Sequence, residues 1–546
     1  MTDPPGPKSA DGPRHSPLGV RALVVCSILA LVWVLLARAL GPSDLWDQTQ
    51  PKTVGYTTDI IANGRWILPL ELGQYPATKP VLYNWMAAPA VSLLGFASEA
   101  AHKFPSVLAL CLCWLVLVRL GRRLDPSASQ RLGWLAGLIF VSNYTIFKLG
   151  YLARPDMLLT LWLVLAWLAS TALFARAETD PPDGSPTLAR RRRGLALAFW
   201  LCVGLAALTK GPAALTVVIY GVLAAKLVGG RWVLIRRLRW WWGVPLALAM
   251  IGAWAYGVWR INPEHLCREL WFNEIYGRVA GVGPEGTHDG PSALLTGAPD
   301  MLLYYLVRFL PWSIASVLAI IALWRRTGGP DRMRRWRSLG LPGPYLHGAA
   351  VFAIVVIALY TLSAGKRADY IAAAFAPGSL LAAWWLLCEP PLLARRVWSL
   401  APCIAAVVLA LLTVVNQLEP RSPVRGFGDE ILAFARRASR QIDSEPLPVE
   451  FCWSGCTHLQ AVMGYSQPDG TQAVHELVDA GRDCWVVAGT ESSPPIDFGT
   501  WFSRRRANVQ VTPVVTSAAL PREHCWQRQV TLYRIGPRPE NPSPTP

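Results

Sequence analysis

Runs of about 17 to 23 predominantly apolar residues recur between Ala22 and Val415, each long enough to cross a hydrocarbon core roughly 30 Å thick. Such a chain has few options. In lipid, every backbone N–H and C=O must be paired within its own structure, and only helices or closed barrels achieve that. The expected fold is an all-α polytopic membrane protein. Composition agrees, since 53% of the 546 residues are hydrophobic and only 16% are charged.

Eleven spans are expected, at 22–40, 104–121, 132–149, 156–176, 194–209, 211–228, 240–260, 301–324, 345–363, 369–388 and 397–416. Leu23 to Leu36 is read as an uncleaved first span, because further spans follow it. Residues 1–21, Pro-rich and weakly basic, form an expected disordered cytoplasmic N-terminus. Val81 to Gly95 is short for a span and carries Asn84 and Pro89, so it is read as a membrane-edge or re-entrant piece lining a cavity.

The net charge of +17 does not indicate nucleic acid, because the cations sit in short loops between apolar runs and form no stripe on a soluble domain. Taken alternately, these loops hold Arg119, Arg122, Arg123 and Arg131; Arg190 to Arg193; Lys226, Arg231, Arg236, Arg237 and Arg239; the stretch 324–337; and Arg395 with Arg396. The positive-inside rule puts all five inside. The other loops then face out, and Asp47, Lys79, Asp156, Lys210, His288, Lys366 and Arg367 share that face. Intramembrane and membrane-edge charges are costly, and their gathering on one side points to an outward-facing site. Its outer loops are 41–103 and 261–300. The latter, with Glu264, His265, Glu269, Glu274, Arg278 and Glu285, is the place expected to set acceptor specificity.

The membrane domain is expected to span 22–418. From 419 to 535 the pattern changes to helical spacing in "GDEILAFARRASRQI" and short strand-like runs such as "CWVVAG", which predict a small C-terminal extracytoplasmic α/β domain. Outside the cell Cys452, Cys456, Cys484 and Cys525 admit two disulfides in any of three pairings. Residues 536–546 are expected to be a disordered tail.

Residues 64 to 95, "GRWILPLELGQYPATKPVLYNWMAAPAVSLLG", together with "ARPDMLLT", "LAALTKGPAAL", "HDGP" with "LVRFLPWS", and "LSAGKRADYIAAAFAP", occur in an order that resembles the aminoarabinose-transferase-like and protein-mannosyltransferase-like integral-membrane C-type glycosyltransferases. The resemblance covers most of residues 40 to 390. It implies a polyprenyl-phosphate-linked sugar as donor, an envelope glycolipid, glycan or protein hydroxyl as acceptor, and an inverting displacement. It also implies Asp47 as general base and Asp156 as a second carboxylate that orients the acceptor or the base. Lys79 would bind the lipid phosphate, as would Lys210 and Lys366 with Arg367, and Tyr83, Arg154, His288 and Tyr370 would add substrate contacts. No metal cluster is evident in the sequence, so no obligatory metal cofactor is expected.

The chain departs from the family pattern in "WDQTQPKTVGY", residues 46 to 56, where one acid replaces a pair. An ungapped count back from Gly64 sets Thr49 and Gln50 opposite that pair. Either the loop is two residues longer and Asp47 is the base, or the base has moved. Two other readings are a lipid or sugar transporter, against which stands the lack of an internal repeat, and a pseudoenzyme that binds polyprenyl phosphate.

Overall fold

The structure is a computed structural model that describes residues 17–46, 49–125, 130–175, 186–277, 299–327, 342–363, 366–388, 394–418, 425–453, 457–491, 496–506, 508–518 and 529–538. It is a helical bundle bearing a small α/β domain, as the apolar periodicity requires.

The membrane part runs α1 (Pro17–Ala39), α2 (Gln50–Asn63), a two-stranded hairpin of β1 (Leu70–Glu71) and β2 (Tyr75–Pro76), α3 (Leu82–Leu94) and α4 (Glu99–Leu124). It continues with α5 (Arg131–Val141), α6 (Tyr144–Leu149), α7 (Asp156–Ala175), α8 (Pro186–Lys210), a 3-10 turn at Gly211–Ala214, α9 (Leu215–Leu227) and α10 (Trp240–Ile261). A π-helix at His265–Gly277 follows, then α11 (Asp300–Arg308), α12 (Trp312–Thr327), α13 (Pro342–Thr361), a 3-10 turn at Ala368–Ile371, α14 (Ala372–Cys388) and α15 (Ala394–Leu418).

Among the described residues, eight helical stretches are long and apolar enough to cross a membrane, or nine if the bent pair α11–α12 is one span. Contacts show three further features of the path. The continuous stretch Pro186–Leu227 is a hairpin, because a Cβ on Gly221 of α9 would touch the Phe199 ring of α8 at 3.1 Å. As one straight helix, those residues would lie about 33 Å apart. The α11–α12 pair bends by 114° yet still traverses the bundle. Its Arg308 meets Asp369 at one end of the bundle, whereas Arg326 lies over the Trp384 ring, deep along α14. Finally, α5 and α6 form one interrupted crossing. Gly133 packs on the Arg-rich end of α4, and after α6 the chain returns to the other end, where Ser106 donates to the Leu152 carbonyl. With the hairpin counted as two crossings, the described residues make eleven crossings, the number expected from the apolar runs. Helix α3 has 13 residues and is not among the candidate spans.

Local chemistry sets the ends of the segments that carry the site. Gly64 closes α2 in the left-handed region at φ 69° and donates to the Ile60 carbonyl. Ser98 caps α4 by accepting from the Ala101 amide. The buried Asp59 carboxylate accepts from the Leu70 amide at 2.8 Å and from Arg65 at 3.0 Å, which fastens the hairpin to α2.

The C-terminal unit comprises α16 (Arg425–Ser444), β3 (Val449–Cys452), α17 (Thr457–Val462), α18 (Thr471–Asp479), β4 (Cys484–Glu491), β5 (Ile496–Asp497), α19 (Phe498–Arg505), β6 (Val509–Thr516) and β7 (Val530–Pro537). The main sheet has the order β3-β4-β7-β6, with β3–β4 parallel and the other pairs antiparallel; β5 pairs with β4. It sits on the α2–hairpin segment, where Thr58 donates to the Ala461 carbonyl at 3.0 Å. Cys452 and Cys484 are buried free thiols. The register sets Cys452 beside Ala488, four residues along β4 from Cys484, too far for a mutual disulfide. Cys456 and Cys525 lie outside the described residues.

Candidate functional site

A line of alternating charges crosses one end of the bundle. Lys210, at the C-terminus of α8, places Nζ 2.5 Å from Oδ1 of Asp156, the first residue of α7. Arg154, in the loop before α7, contacts Asp156 Oδ2 at 2.9 Å and Asp369 Oδ2 at 3.0 Å. Arg308, which ends α11, reaches Asp369 Oδ1 at 2.9 Å. The order is therefore Lys210, Asp156, Arg154, Asp369, Arg308. The Arg154 and Asp156 side chains are 5% and 3% exposed, so each charge depends on its neighbours for the stabilisation that water would otherwise supply.

Beside the Lys210 end lies a cavity of about 740 Å³. Its walls are mainly apolar, including Ile251, Trp254, Leu270 and Trp271, while Lys79, Lys210 and Tyr370 supply polar groups. The Lys210 ammonium also sits 4.3 Å from the centre of the Tyr370 ring, a cation–π contact. Lys79 lines the same cavity. Two ammonium groups thus share one end of a greasy chamber. The chamber's wall includes Leu266, Cys267, Leu270 and Trp271 of the His265–Gly277 segment. His265 pins that segment by a 3.0 Å hydrogen bond between Nε2 and the Ala77 carbonyl, close to Lys79.

A second buried cluster braces this arrangement. Asp44 contacts Arg38 at 2.6 Å and Lys103 at 2.5 Å, and Lys103 is also paired with Glu99. Burial alone would raise the Asp44 pKa, but the charges of Lys103 and Arg38 more than reverse that effect and hold it below the usual carboxylate range. Gln50, fully buried at the start of α2, donates to the Asp44 carbonyl at 2.6 Å and accepts from the Ala153 amide at 2.8 Å. It joins this cluster to the backbone just before Arg154.

The structure thus unites five residues anticipated from sequence: Lys79, Arg154, Asp156, Lys210 and Tyr370. Tyr83 lies behind them, fully buried, its hydroxyl 3.0 Å from the His102 carbonyl and 3.1 Å from that of Leu152. Lys366 and the exposed Arg367 adjoin the Ala368–Ile371 turn but are not among the cavity-lining residues. Asp47 and His288 lie outside the described residues. Sequence reasoning missed Asp369, Arg308, Asp44 and Lys103. A signal was available for the first two, which stand inside motifs already singled out, "GKRADYI" and "LVRFLPWS". Among the described residues, no group of three or more His, Cys, Asp or Glu is arranged to hold a metal ion.

The chain is similar in sequence and in fold to several known proteins. A family model described as dolichyl-phosphate-mannose-protein mannosyltransferase matches residues 24–262. An undecaprenyl phosphate-alpha-4-amino-4-deoxy-L-arabinose arabinosyl transferase of Shewanella sediminis is 29% identical over 363 residues, covering 65% of this chain and 58% of the relative. A protein of the same description from Pectobacterium atrosepticum is 24% identical over 389 residues, covering 70% of this chain and 62% of the relative. The match therefore spans less than two thirds of those relatives' length. The crystal structure of ArnT from Cupriavidus metallidurans bound to undecaprenyl phosphate superposes with a TM-score of 0.65 at 17% identity, covering 94% of this chain and 98% of that one. Its apo state gives 0.62.

The chain is a multi-pass membrane protein with a fold similar to that of ArnT. In sequence, parts of it are similar to the arabinosyl transferases and to the protein-mannosyltransferase family model described above.

Proposed function

We propose that this protein transfers a sugar from a polyprenyl-phosphate donor to a hydroxyl of an envelope acceptor at the outer face of the cytoplasmic membrane. The observation that carries this reading is the apolar cavity ending in Lys79 and Lys210. A polyprenyl-phosphate sugar joins a long apolar chain to an anion, and this chamber matches both parts. The relative solved with undecaprenyl phosphate supports the same donor class.

In the proposed reaction the acceptor oxygen attacks the sugar's anomeric carbon as the bond to the phosphate oxygen breaks. The polyprenyl phosphate departs with that electron pair, and the acceptor's proton passes to a base. Attack from the face opposite the phosphate inverts the anomeric centre. Lys79 and Lys210 stabilise the charge that grows on the leaving phosphate. Asp156, held between Arg154 and Lys210, fixes the ammonium of Lys210, a positioning task suited to a carboxylate with both oxygens engaged. Asp47 is proposed as the base; three residues on, Gln50 accepts from the Ala153 amide next to Arg154.

The outer-face assignment rests on charge. Lys210, Asp156 and Asp369 mark one end of the bundle, whereas Arg122, Arg123, Arg325 and Arg326 end helices at the other. The positive-inside rule then directs the site outward.

Undecaprenyl phosphate binding to the purified chain tests the reading. Lys79→Ala is expected to weaken binding about tenfold, the loss of roughly one charge-assisted contact, without lowering protein yield. Equal affinity in the variant and the wild type would remove the phosphate role.

A further inference from the structure

A second cavity, of about 770 Å³, lies between the α3–α4 turn and the C-terminal unit and shares no lining residue with the donor chamber. Its membrane-side wall is Leu94, Gly95, Phe96, Ala97 and Ser98. Leu93 and Leu94, at the end of α3, are 85% and 65% exposed. The opposite wall belongs to α16, where Arg436, Arg440 and Asp443 lie on one face at successive helical turns. Arg436 donates to the Ala97 carbonyl at 3.4 Å and Arg440 to the Arg436 carbonyl at 3.2 Å, both neutral partners, whereas Arg437 is paired with the Glu430 carboxylate.

The position sets the depth. Helix α4 is a candidate span beginning at Glu99, so the turn before it lies at the level where hydrocarbon gives way to headgroups. The two walls touch where the Phe96 ring packs on Gly464, a glycine at φ +87° whose absent side chain leaves room for the ring. Exposed leucines therefore stand on the membrane side, with two arginines and one aspartate directly across the groove.

We infer that this groove binds an anionic phospholipid, its phosphate between Arg436 and Arg440 and an acyl chain over Leu93 and Leu94. The rim's two cations and one anion favour a headgroup carrying a single negative charge. The Asp443 carboxylate accepts from a headgroup hydroxyl, as phosphatidylglycerol provides. The bound lipid fastens the C-terminal unit to the membrane surface. This assignment is independent of the catalytic reading.

The full chain in phosphatidylcholine nanodiscs, with a minor fraction of photoreactive phosphatidylglycerol, tests the site. Crosslinks are expected in peptides covering 93–104 and 436–443, about tenfold above those from a photoreactive phosphatidylcholine. Arg436→Ala with Arg440→Ala should abolish that preference, while Arg437→Ala and Lys79→Ala retain it. Labelling unchanged in the double variant, or equal for the two lipids in the wild type, overturns the assignment. Because both arginines are exposed on a helix whose apolar face is buried elsewhere, the double variant is expected to fold.

Discussion

Asp44 shows how a single buried carboxylate can hold several elements at once. It engages Arg38 from α1, Lys103 from α4 and the Gln50 amide from α2. Asp44→Asn would leave two cations, 6% and 1% exposed, with a neutral partner. Removing one member of a buried ion pair typically costs about 3 kcal/mol, so thermal unfolding in detergent should show a drop of several degrees. A melting temperature equal to the wild type would show that the cluster is not stabilising. The pH dependence has a definite sign. A depressed carboxylate contributes fully above the unfolded value of 3.8 and loses that contribution only as pH falls through the lower folded value, so a scan from pH 8 to 5 should leave it intact. The cluster escaped sequence reasoning because Lys103 stands next to an expected span and Asp44 at the start of the outer loop 41–103. Nothing local says that the two meet. Glu99 and Lys103 at i, i+4 before an apolar run were the legible hint. Asp156 was easier, since an acid opening a long apolar helix is conspicuous by its cost. Asp369 and Arg308, which extend the line beyond Arg154, come from distant segments, and only tertiary packing brings them there.

At the scale of elements, apolar length showed where the helices lie, and small residues decide how closely they pack. Helices α4 and α5 meet through Gly121 and Gly133, where a methyl added at Gly133 would overlap the Val118 carbonyl oxygen and the Arg122 amide. Backbone cannot swing aside as a side chain can. Gly133→Ala is therefore expected to destabilise by about 2 kcal/mol through forced separation of the helices. Gly252→Ala, in α10 with nothing near its Cβ, should be neutral or slightly stabilising. The difference between the two unfolding temperatures is the measurement, and similar values would show that α5 shifts without cost. Helix breaks were legible in part. Lys210-Gly211-Pro212 divided two spans correctly, because glycine at φ +54° and proline interrupt a helix. The break at Ser142–Asn143 was not seen. It lies inside one apolar run, where Asn143 accepts from the Ile146 amide and starts a new helix.

For the whole molecule, charge carries information that length alone lacks. A count by helix length stops at eight or nine spans, because the hairpin passes as one stretch and the α5–α6 crossing is interrupted. The Arg clusters supply the missing constraint, since each must return to the same side. The structure gives the same alternation independently: Lys103 is near the start of α4, at the Asp156 end of the bundle, and Arg122 at its other end, while α8 runs from Arg190 to Lys210 in the opposite sense. What geometry leaves to experiment is which end faces out. Single cysteines at Arg326 and Ser444, on a background with the exposed native cysteines replaced, separate the two orientations. An impermeant thiol reagent applied to intact cells should modify the Ser444→Cys variant and leave the Arg326→Cys variant protected until the membrane is opened. The reverse pattern would place Lys79, Lys210 and the C-terminal unit in the cytoplasm. There a donor presented at the outer leaflet could not reach the cavity, and the proposed reaction would fail on topology alone.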